Sequence, residues 1–477
     1  AAALAALIAG DDAADPRLGG GVVVATGGGA AASGDNLERM RAAGCVIALE
    51  VDAETARQRA GDPASRPLLQ RGPAAVAALA AARAPSYRRA HVVVDTNGRT
   101  VAEVVAQVAD AARAYAGPGS TVVALGARSY PIVVAERFDR AGLARLGAVT
   151  KVALVTDTNV ARHWRAQAER ELTPDVTLVI EAGEAHKTLA TYERVCDQLI
   201  AAGLDRSSAI LALGGGVVGD LAGFVAATLF RGITVVQLPT TLVAMVDAAI
   251  GGKTAVDTAA GKNLIGAFWQ PKLVACNLAT LATLPPRERR AGFGELWKYA
   301  LLDGAALWDA VERSVPWASA EAPPGALPEA LREAITRSIA FKAAIVGRDE
   351  HERTGVRALL NLGHTVGHAI ESHTGMLHGE AVGLGLVAAC RVSAALGLAD
   401  PALERRVAEA LERTGLPHDP DTYLTDAVLA RLHVDKKRVA DRVRFIAIRE
   451  VGACEPVELA VTELTELVRT LRSSTLP

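Results

Sequence analysis

The stretch LNLGHTVGHAIESHTGMLHGEAV, residues 360–382, holds His364, His368, His373 and His378, four of the chain's ten histidines. Imidazole is the commonest metal ligand and the side chain that titrates nearest neutral pH, so the crowding fits either a metal site or acid–base chemistry. Any one of these histidines alone is equally consistent with an ordinary buried, hydrogen-bonded side chain. His364 and His368 are four apart and share a helix face, whereas His378 follows the break at Gly375 and opens a further helix. In GELWKYA, Glu295 and Lys298 are three apart and also share a face. One carboxylate and two imidazoles from separate segments make the open three-ligand set of a catalytic zinc centre, with positions left for substrate oxygens. No pair has the H-E-x-x-H spacing of a metalloprotease.

A second group is cationic. DAAIGGKTAVDTAAGKNLIGAFWQ, residues 247–270, and GFGELWKYALL set Lys253, Lys262 and Lys298 among glycines and apolar residues. A lysine in such surroundings needs an anion beside it or loses its proton. Each singly is also explained by a stem lying along the surface with its ammonium in water. Lys342 in SIAFKAAIVGRDE and Arg357 beside the histidines extend the group, which points to a multiply charged anionic substrate.

A third group is glycine. SAILALGGGVVGDLAGF places Gly214, Gly216 and Gly219 in G-x-G-x-x-G spacing between a predicted strand and a predicted helix. Backbone without Cβ atoms can approach a pyrophosphate at a helix N-terminus, and close packing of the turn is the plain alternative. The acidic residue expected about 20 positions on in a standard dinucleotide fold is missing, since that region reads VVQLPTT. Asp157, closing VALVTDTN, takes that role only if its strand neighbours the glycine strand, which requires a sheet wound in a different order.

The elements that must hold these groups fall into three sections. In the first, GVVVATGGGA and GCVIALEVD read as short strands, and HVVVDTNGRTVAEVVAQVADAARAY as strand, turn and helix. AGPGS, residues 116–120, is the candidate linker, followed by a new strand at TVVALG. The second section alternates the strands KVALVTDTN, VTLVIEAGE, SAILALGGG and ITVVQLPTT with helical patterns such as TLATYERVCDQLIAAG. From about Pro286 the pattern is helical to the end apart from VRFIAIRE. The domains expected are therefore 1–116, 117–286 and 287–477, with the site in the cleft between the α/β and helical parts.

Of the 477 residues, 50% are hydrophobic and 4% aromatic, so the cores are built from Ala, Val and Leu. A net charge of -2 argues against a generally nucleic-acid-binding surface. The five scattered cysteines form no C-x-x-C pair, so neither a disulfide scaffold nor a thiolate zinc site is indicated and reducing cytosol is the expectation. No run is apolar enough to span a membrane; the opening AAALAALIAG has no basic flank of a signal peptide and no initiator Met, as expected of a piece of a longer chain.

From about Ser120 onward the chain resembles 3-dehydroquinate synthase, through GGGVVGDLAGFVAATLFRG, QLPTTLVAMVDAAIGGKTAVD, GKNLIGAFWQP, GFGELWKYALL, LNLGHTVGHAIE, LHGEAV and DKKR in that order. The resemblance implies a Rossmann-like NAD-binding α/β domain followed by a mostly helical metal-binding domain. It implies NAD+ beside Asp157, Asn159, Glu184, Lys187, Gly214, Gly215, Gly216, Asp220, Thr240, Thr241, Thr283 and Glu288, with Lys253 and Lys262 reaching both cofactor and substrate. It implies a divalent metal, zinc or cobalt, on Glu295, His364 and His378. Asp247, Lys253, Lys262, Asn263, Lys298, Lys342, Arg357, Asn361, His368 and Lys436 would surround the substrate, and Arg231 would reach the phosphate of a neighbouring subunit in a homodimer. His373 matches no such position and reads as structural or exposed.

The chemistry so implied is that of a cytoplasmic carbon–oxygen lyase converting 3-deoxy-D-arabino-heptulosonate 7-phosphate to 3-dehydroquinate and phosphate. Oxidation of the C5 hydroxyl by NAD+ acidifies the C6 proton, phosphate leaves by β-elimination, and the hydride returns before ring opening and aldol closure. The metal polarises adjacent hydroxyls, the cations neutralise phosphate and carboxylate, and His368 relays a proton. A metal-dependent polyol dehydrogenase is the nearest rival, but a neutral polyol gives no reason to gather so many cations.

Residues from about Val22 to Ala116 resemble the C-terminal part of shikimate kinase, through VVVATGGGA, SRPLLQ and ARAPSYRRAHVVVDT. The resemblance implies a partial P-loop-kinase-type α/β segment whose shikimate-contacting positions are Gly27, Gly28, Gly29, Arg66 and Arg83. The P-loop pattern G-x-x-x-x-G-K-[ST] does not occur in these 477 residues, so they lack the cradle for nucleotide phosphates and are not expected to phosphorylate shikimate by themselves. A chain carrying both kinase and synthase activities is the alternative.

Overall fold

The computed structural model describes residues 23–27, 29–59, 72–319, 327–432 and 442–471. The candidate residues Gly28, Arg66 and Lys436 lie outside them. Besides two short helices, Asn36–Ala43 and Ala53–Arg59, the N-terminal segment holds β1 (Ile47–Glu50), α1 (Pro73–Arg88), β2 (Val92–Asp95) and α2 (Val101–Ala114). Thr100 opens α2 with a capping box, its hydroxyl accepting from the Glu103 amide while the Glu103 carboxylate accepts from the Thr100 amide. The 23–27 run carries no strand, contrary to the sequence reading: Val23 is 98% exposed, and no described strand lies beside it to form a ladder.

The α/β part continues with β3 (Ser120–Val123), β4 (Tyr130–Ala135), β5 (Val152–Asp157), α3 (Thr158–Leu172), β6 (Val176–Ile180), α4 (Leu189–Ala201), β7 (Ala209–Gly214), α5 (Gly216–Thr228) and β8 (Thr234–Pro239). The hairpin β9 (Lys253–Thr258) and β10 (Gly261–Phe268) precedes β11 (Leu273–Asn277). Nine strands form one sheet in the order β1-β2-β3-β4-β11-β8-β7-β5-β6, parallel except between β3 and β4. Thus β5 does neighbour β7, and the winding differs from the standard dinucleotide order, as the placing of Asp157 requires. Central strands such as β7 are buried on both sides, which is why they read as continuous apolar runs. Ala153, Val155, Ile210, Ala212 and Val235 pack into one core, while Leu154, Leu211, Leu213, Val236 and Leu238 pack into another on the opposite face.

The helical part contains α6 (Pro286–Asp303), α7 (Glu329–Arg348), α8 (His364–Thr374) and α9 (His378–Ala395), with further helices behind them. Gly375 at φ 69° ends α8 in the left-handed conformation, so α9 begins only three residues later at His378. VRFIAIRE forms β12 (Arg442–Glu450), and it pairs with β13 (Ala453–Ala460), a strand the sequence reading did not include.

Candidate active site

Three helices bring the donors together by packing backbone on backbone. A Cβ on Gly379 would stand 1.7 Å from the Ala291 carbonyl oxygen, and one on Gly294 would stand 2.0 Å from that of Gly379. Only glycine permits this crossing of α6 and α9, and the residues next to these glycines are Glu295 and His378. Gly385 does the same between α9 and the start of α8, 1.8 Å from the Gly363 carbonyl oxygen, and His364 follows.

Glu295 is fully buried, with Oε1 3.1 Å from His378 Nε2 and 3.6 Å from His364 Nε2. The three donors lie within 4.8 Å of one another. Each imidazole is oriented from behind: His364 Nδ1 lies 3.0 Å from the Leu362 carbonyl oxygen, and His378 Nδ1 lies 3.0 Å from Glu371 Oε2. Partners of this kind hold the proton on Nδ1 and turn the Nε2 lone pair toward the carboxylate, which is the arrangement a metal-binding histidine needs. Burial alone would lower the pKa of His378, but Glu295 and Glu371 push it up to about 10, so the two carboxylates favour positive charge at Nε2, as a proton or as a metal ion in its place. The donor set therefore fits a divalent metal. His368, whose ring centroid is 5.0 Å from that of His364 and 5.8 Å from that of His378, makes a second possible set with Glu371 and His378.

The cations stand beside this centre, each held by a carboxylate. Buried Lys298 places Nζ 2.5 Å from Glu295 Oε2 and 3.3 Å from Asp247 Oδ1. Asp247 also accepts from the Tyr299 hydroxyl at 2.5 Å and pairs with Lys342 at 2.8 Å. Burial would strip the proton from Lys298, yet Asp247 and Glu295 hold its pKa above the ordinary value. Lys342 goes the other way: burial, with Lys298 and Arg357 nearby, lowers it to about 8 despite Asp247. Burial would raise Asp247, but the two lysines keep its carboxyl well below the usual range. Lys262 donates to Glu371 at 2.7 Å, Lys253 pairs with Glu352, and buried Arg357 donates to the Gly251 carbonyl at 3.1 Å and the Glu350 carbonyl at 2.5 Å. Asn263, at φ 55°, donates its amide to Asp257, and Asn361 ends the turn before α8.

The dinucleotide candidates gather at the carboxyl ends of β5, β7 and β8, where open α/β sheets bind ligands. Gly215 precedes α5 without a side-chain cap, so the first amides of that helix are open to an anion. The glycines also answer to packing, since a Cβ on Gly214 would stand 2.5 Å from Val218 and one on Gly219 2.9 Å from Gln237. The Thr240 amide donates to the Gly214 carbonyl, and Thr241 Oγ1 accepts from the Ala244 amide. Asp157 Oδ1 caps α3, accepting from the Asn159 and Val160 amides. Buried Lys187 lies 2.9 Å from Asp220, 3.5 Å from Glu184 and 3.9 Å from Asp257, and burial raises Asp220 to about 6.

Other candidates sit apart from these contacts. Thr283 accepts from Trp164 Nε1, and Glu288 lies in the first turn of α6, its carboxyl raised by burial. Arg231 is exposed in the turn after α5 with no ion-pair partner among the described residues. His373 is exposed. In the N-terminal segment a Cβ on Gly29 would meet the Arg83 guanidinium at 3.3 Å, so these two candidates are neighbours, while Gly27 has open space. Glu371 and Glu352 belong to the site although the sequence does not single them out; the only local signal for Glu371 is its place seven residues before His378, across a turn.

The family model described as 3-dehydroquinate synthase N-terminal matches residues 177–291, its C-terminal counterpart matches 292–438, and a shikimate kinase model matches 15–113. A 3-dehydroquinate synthase from Pelobacter propionicus is 44% identical over 360 residues, covering 72% of this chain and 97% of that protein. Among solved structures, a 2-deoxy-scyllo-inosose synthase complexed with carbaglucose-6-phosphate, NAD+ and Co2+ is similar with a TM-score of 0.64 at 26% identity, covering 74% of this chain and 99% of that one. A 2-epi-5-epi-valiolone synthase from Streptomyces hygroscopicus subsp. jinggangensis with NAD+ and Zn2+ has a TM-score of 0.64 at 28% identity, covering 71% and 96%.

Proposed function

The chain belongs to the 3-dehydroquinate synthase family, and from that premise we propose how its residues divide the work. The reaction is the conversion of 3-deoxy-D-arabino-heptulosonate 7-phosphate to 3-dehydroquinate and inorganic phosphate, with catalytic NAD+ and a divalent metal. It is a carbon–oxygen lyase. When bound, NAD+ supplies a reversible hydride acceptor and the metal supplies Lewis acidity to substrate oxygens.

Glu295, His364 and His378 hold the metal, with Glu371 fixing His378 from behind. The N-terminus of α5, with Gly214, Gly215 and Gly216, receives the pyrophosphate, and Asp157, Asn159, Glu184, Lys187, Asp220, Thr240, Thr241, Thr283 and Glu288 line the rest of the dinucleotide. Asp247, Lys253, Lys262, Asn263, Lys298, Lys342, Arg357, Asn361 and Lys436 orient the substrate, and His368 carries a proton. The single observation behind this reading is Lys298, whose ammonium joins the metal donor Glu295 to Asp247 and the cation cluster. Five cations, Lys253, Lys262, Lys298, Lys342 and Arg357, face five carboxylates, Glu184, Asp247, Glu295, Glu352 and Glu371. With a divalent metal added, the pocket carries a surplus of positive charge suited to a phosphate dianion plus a carboxylate.

Exposed Arg231 reaches the substrate phosphate of a second copy, which makes the working form a homodimer. No helix among the described residues is long and apolar enough to cross a membrane. A cytoplasmic location is part of the proposal, and the five free cysteines accord with a reducing compartment. His364→Ala and His378→Ala should each lose the metal, whereas His368→Ala should keep it and lose turnover. Wild-type metal content in the first two variants would refute the ligand set. The shikimate kinase match at 15–113 favours a second reading in which a longer chain also phosphorylates shikimate. Restoring a nucleotide-binding half upstream and assaying ATP-dependent phosphorylation tests it.

A further inference from the structure

The kinase-like segment does not sit apart from the synthase. Its strands β1 and β2 extend the synthase sheet, β2 running parallel to β3 with the Val122 amide donating to the His91 carbonyl at 2.7 Å. Val92, Val94 and Ala111 share a core with Val122 and Ala124. Glu50, at the end of β1, pairs with Arg348, the last residue of α7, at 3.5 Å.

The decisive contact is Arg88, the last residue of α1. Its guanidinium lies 3.3 Å from Asp303 and 5.1 Å from the centre of the Phe341 ring. Asp303 is the buried final residue of α6, so its charge sits at the negative end of that helix and needs a cation. Phe341 stands on α7 next to Lys342 and meets Tyr299 edge-on, with ring centroids 6.0 Å apart. Tyr299 in turn donates to Asp247, to which Lys298 and Lys342 are paired. One arginine from the kinase-like segment thus touches both helices that carry the substrate-site groups, α6 with Glu295, Lys298 and Tyr299, and α7 with Lys342.

We propose that the kinase-like segment has a second role as a built-in brace of the synthase, in which Arg88 is a positioning residue that clamps α6 to α7 and so sets the geometry of Asp247, Lys298 and Lys342. It rests on the synthase reading above. A bare structural prop would affect the melting temperature and the folded fraction only, whereas a positioning residue changes turnover per loaded site, because small misplacements of reacting groups are costly.

The test uses the full chain and measures kcat and KM for the heptulosonate phosphate, normalised to bound metal and NAD+, in Arg88→Ala, Arg88→Lys and Phe341→Leu. Arg88→Ala should lower kcat about tenfold with metal and NAD+ content unchanged. Arg88→Lys, which keeps the charge beside Asp303, should recover most of the loss. Phe341→Leu keeps the ion pair but removes the ring between Arg88 and Tyr299, and should also slow turnover. It covers the case in which Arg88→Ala fails to fold. Wild-type kcat in the folded Arg88→Ala and Phe341→Leu variants, with the parent chain active, would overturn this proposal alone; an inactive, fully loaded parent chain would overturn the synthase reading and this one with it.

Discussion

Replacing Glu371 with Gln isolates the group behind the metal centre. The carboxylate is 12% exposed and makes two charge-assisted contacts, Oε2 at 3.0 Å from His378 Nδ1 and Oε1 at 2.7 Å from Lys262 Nζ. Burial would raise its pKa, yet His378 and Lys262 bring it down to about 2, so it is ionised throughout the working range. The anion obliges Nδ1 of His378 to carry the proton, which leaves Nε2 free as a ligand. Glutamine keeps the shape but not the charge: if its oxygen turns to Lys262, its NH2 faces Nδ1 and favours the wrong tautomer. Loss of such a partner weakens metal binding about 10- to 100-fold, or roughly 1.4–2.8 kcal/mol, in line with the ~1.5–3 kcal/mol of one hydrogen bond to a charged group. Zn2+ affinity measured against a competing chelator in Glu371→Gln should show that loss, while His373→Ala, altering an exposed neighbour, should bind as the parent does. Equal affinity in Glu371→Gln and the parent would refute the reasoning.

Three further outcomes follow from the same geometry. Lys342 loses its charge as pH rises through about 8, so kcat/KM should fall on the alkaline side near that value, and the limb for kcat should lie higher because bound anionic substrate favours the ammonium; a kcat/KM profile flat across this range would contradict the role of Lys342. Lys187→Met strands Asp220 without its cation, while Glu184 keeps Lys262 4.0 Å away, and should cost about 3–5 kcal/mol in denaturant unfolding as well as NAD+ affinity, with Asp220→Asn restoring part of it; an unchanged unfolding midpoint would count against the network. Gly379→Ala should destabilise by the upper end of about 1–3 kcal/mol or more and release metal, since its Cβ would force α9 away from α6; a variant with native metal content and stability would disprove the close crossing.

Local features were legible in the sequence. β5 to β8 are apolar runs bounded by polar or glycine residues, and Gly375 marks the break that makes His364 and His378 two helix starts. The pairing of β5 with β7 meets the condition under which Asp157 can serve the ribose. What stayed hidden depends on long-range meeting. Lys253 finds Glu352 and Lys262 finds Glu371 across roughly a hundred residues, and no spacing rule encodes either pair. Gly294 inside α6 and Gly379 in the first turn of α9 look unremarkable until the helices cross. AGPGS reads as a linker and joins α2 to β3, yet β3 pairs in parallel with β2 on its far side, so one sheet continues across that boundary, and a parallel pairing that skips a helix leaves no mark in local composition.

Mixing the chain with the heptulosonate phosphate, catalytic NAD+ and Zn2+, and following phosphate release beside NADH absorbance, tests the synthase activity most directly. Phosphate released over many turnovers with no accumulating NADH is the predicted result. NADH formed in stoichiometric amount without phosphate would contradict it and make the protein a dehydrogenase.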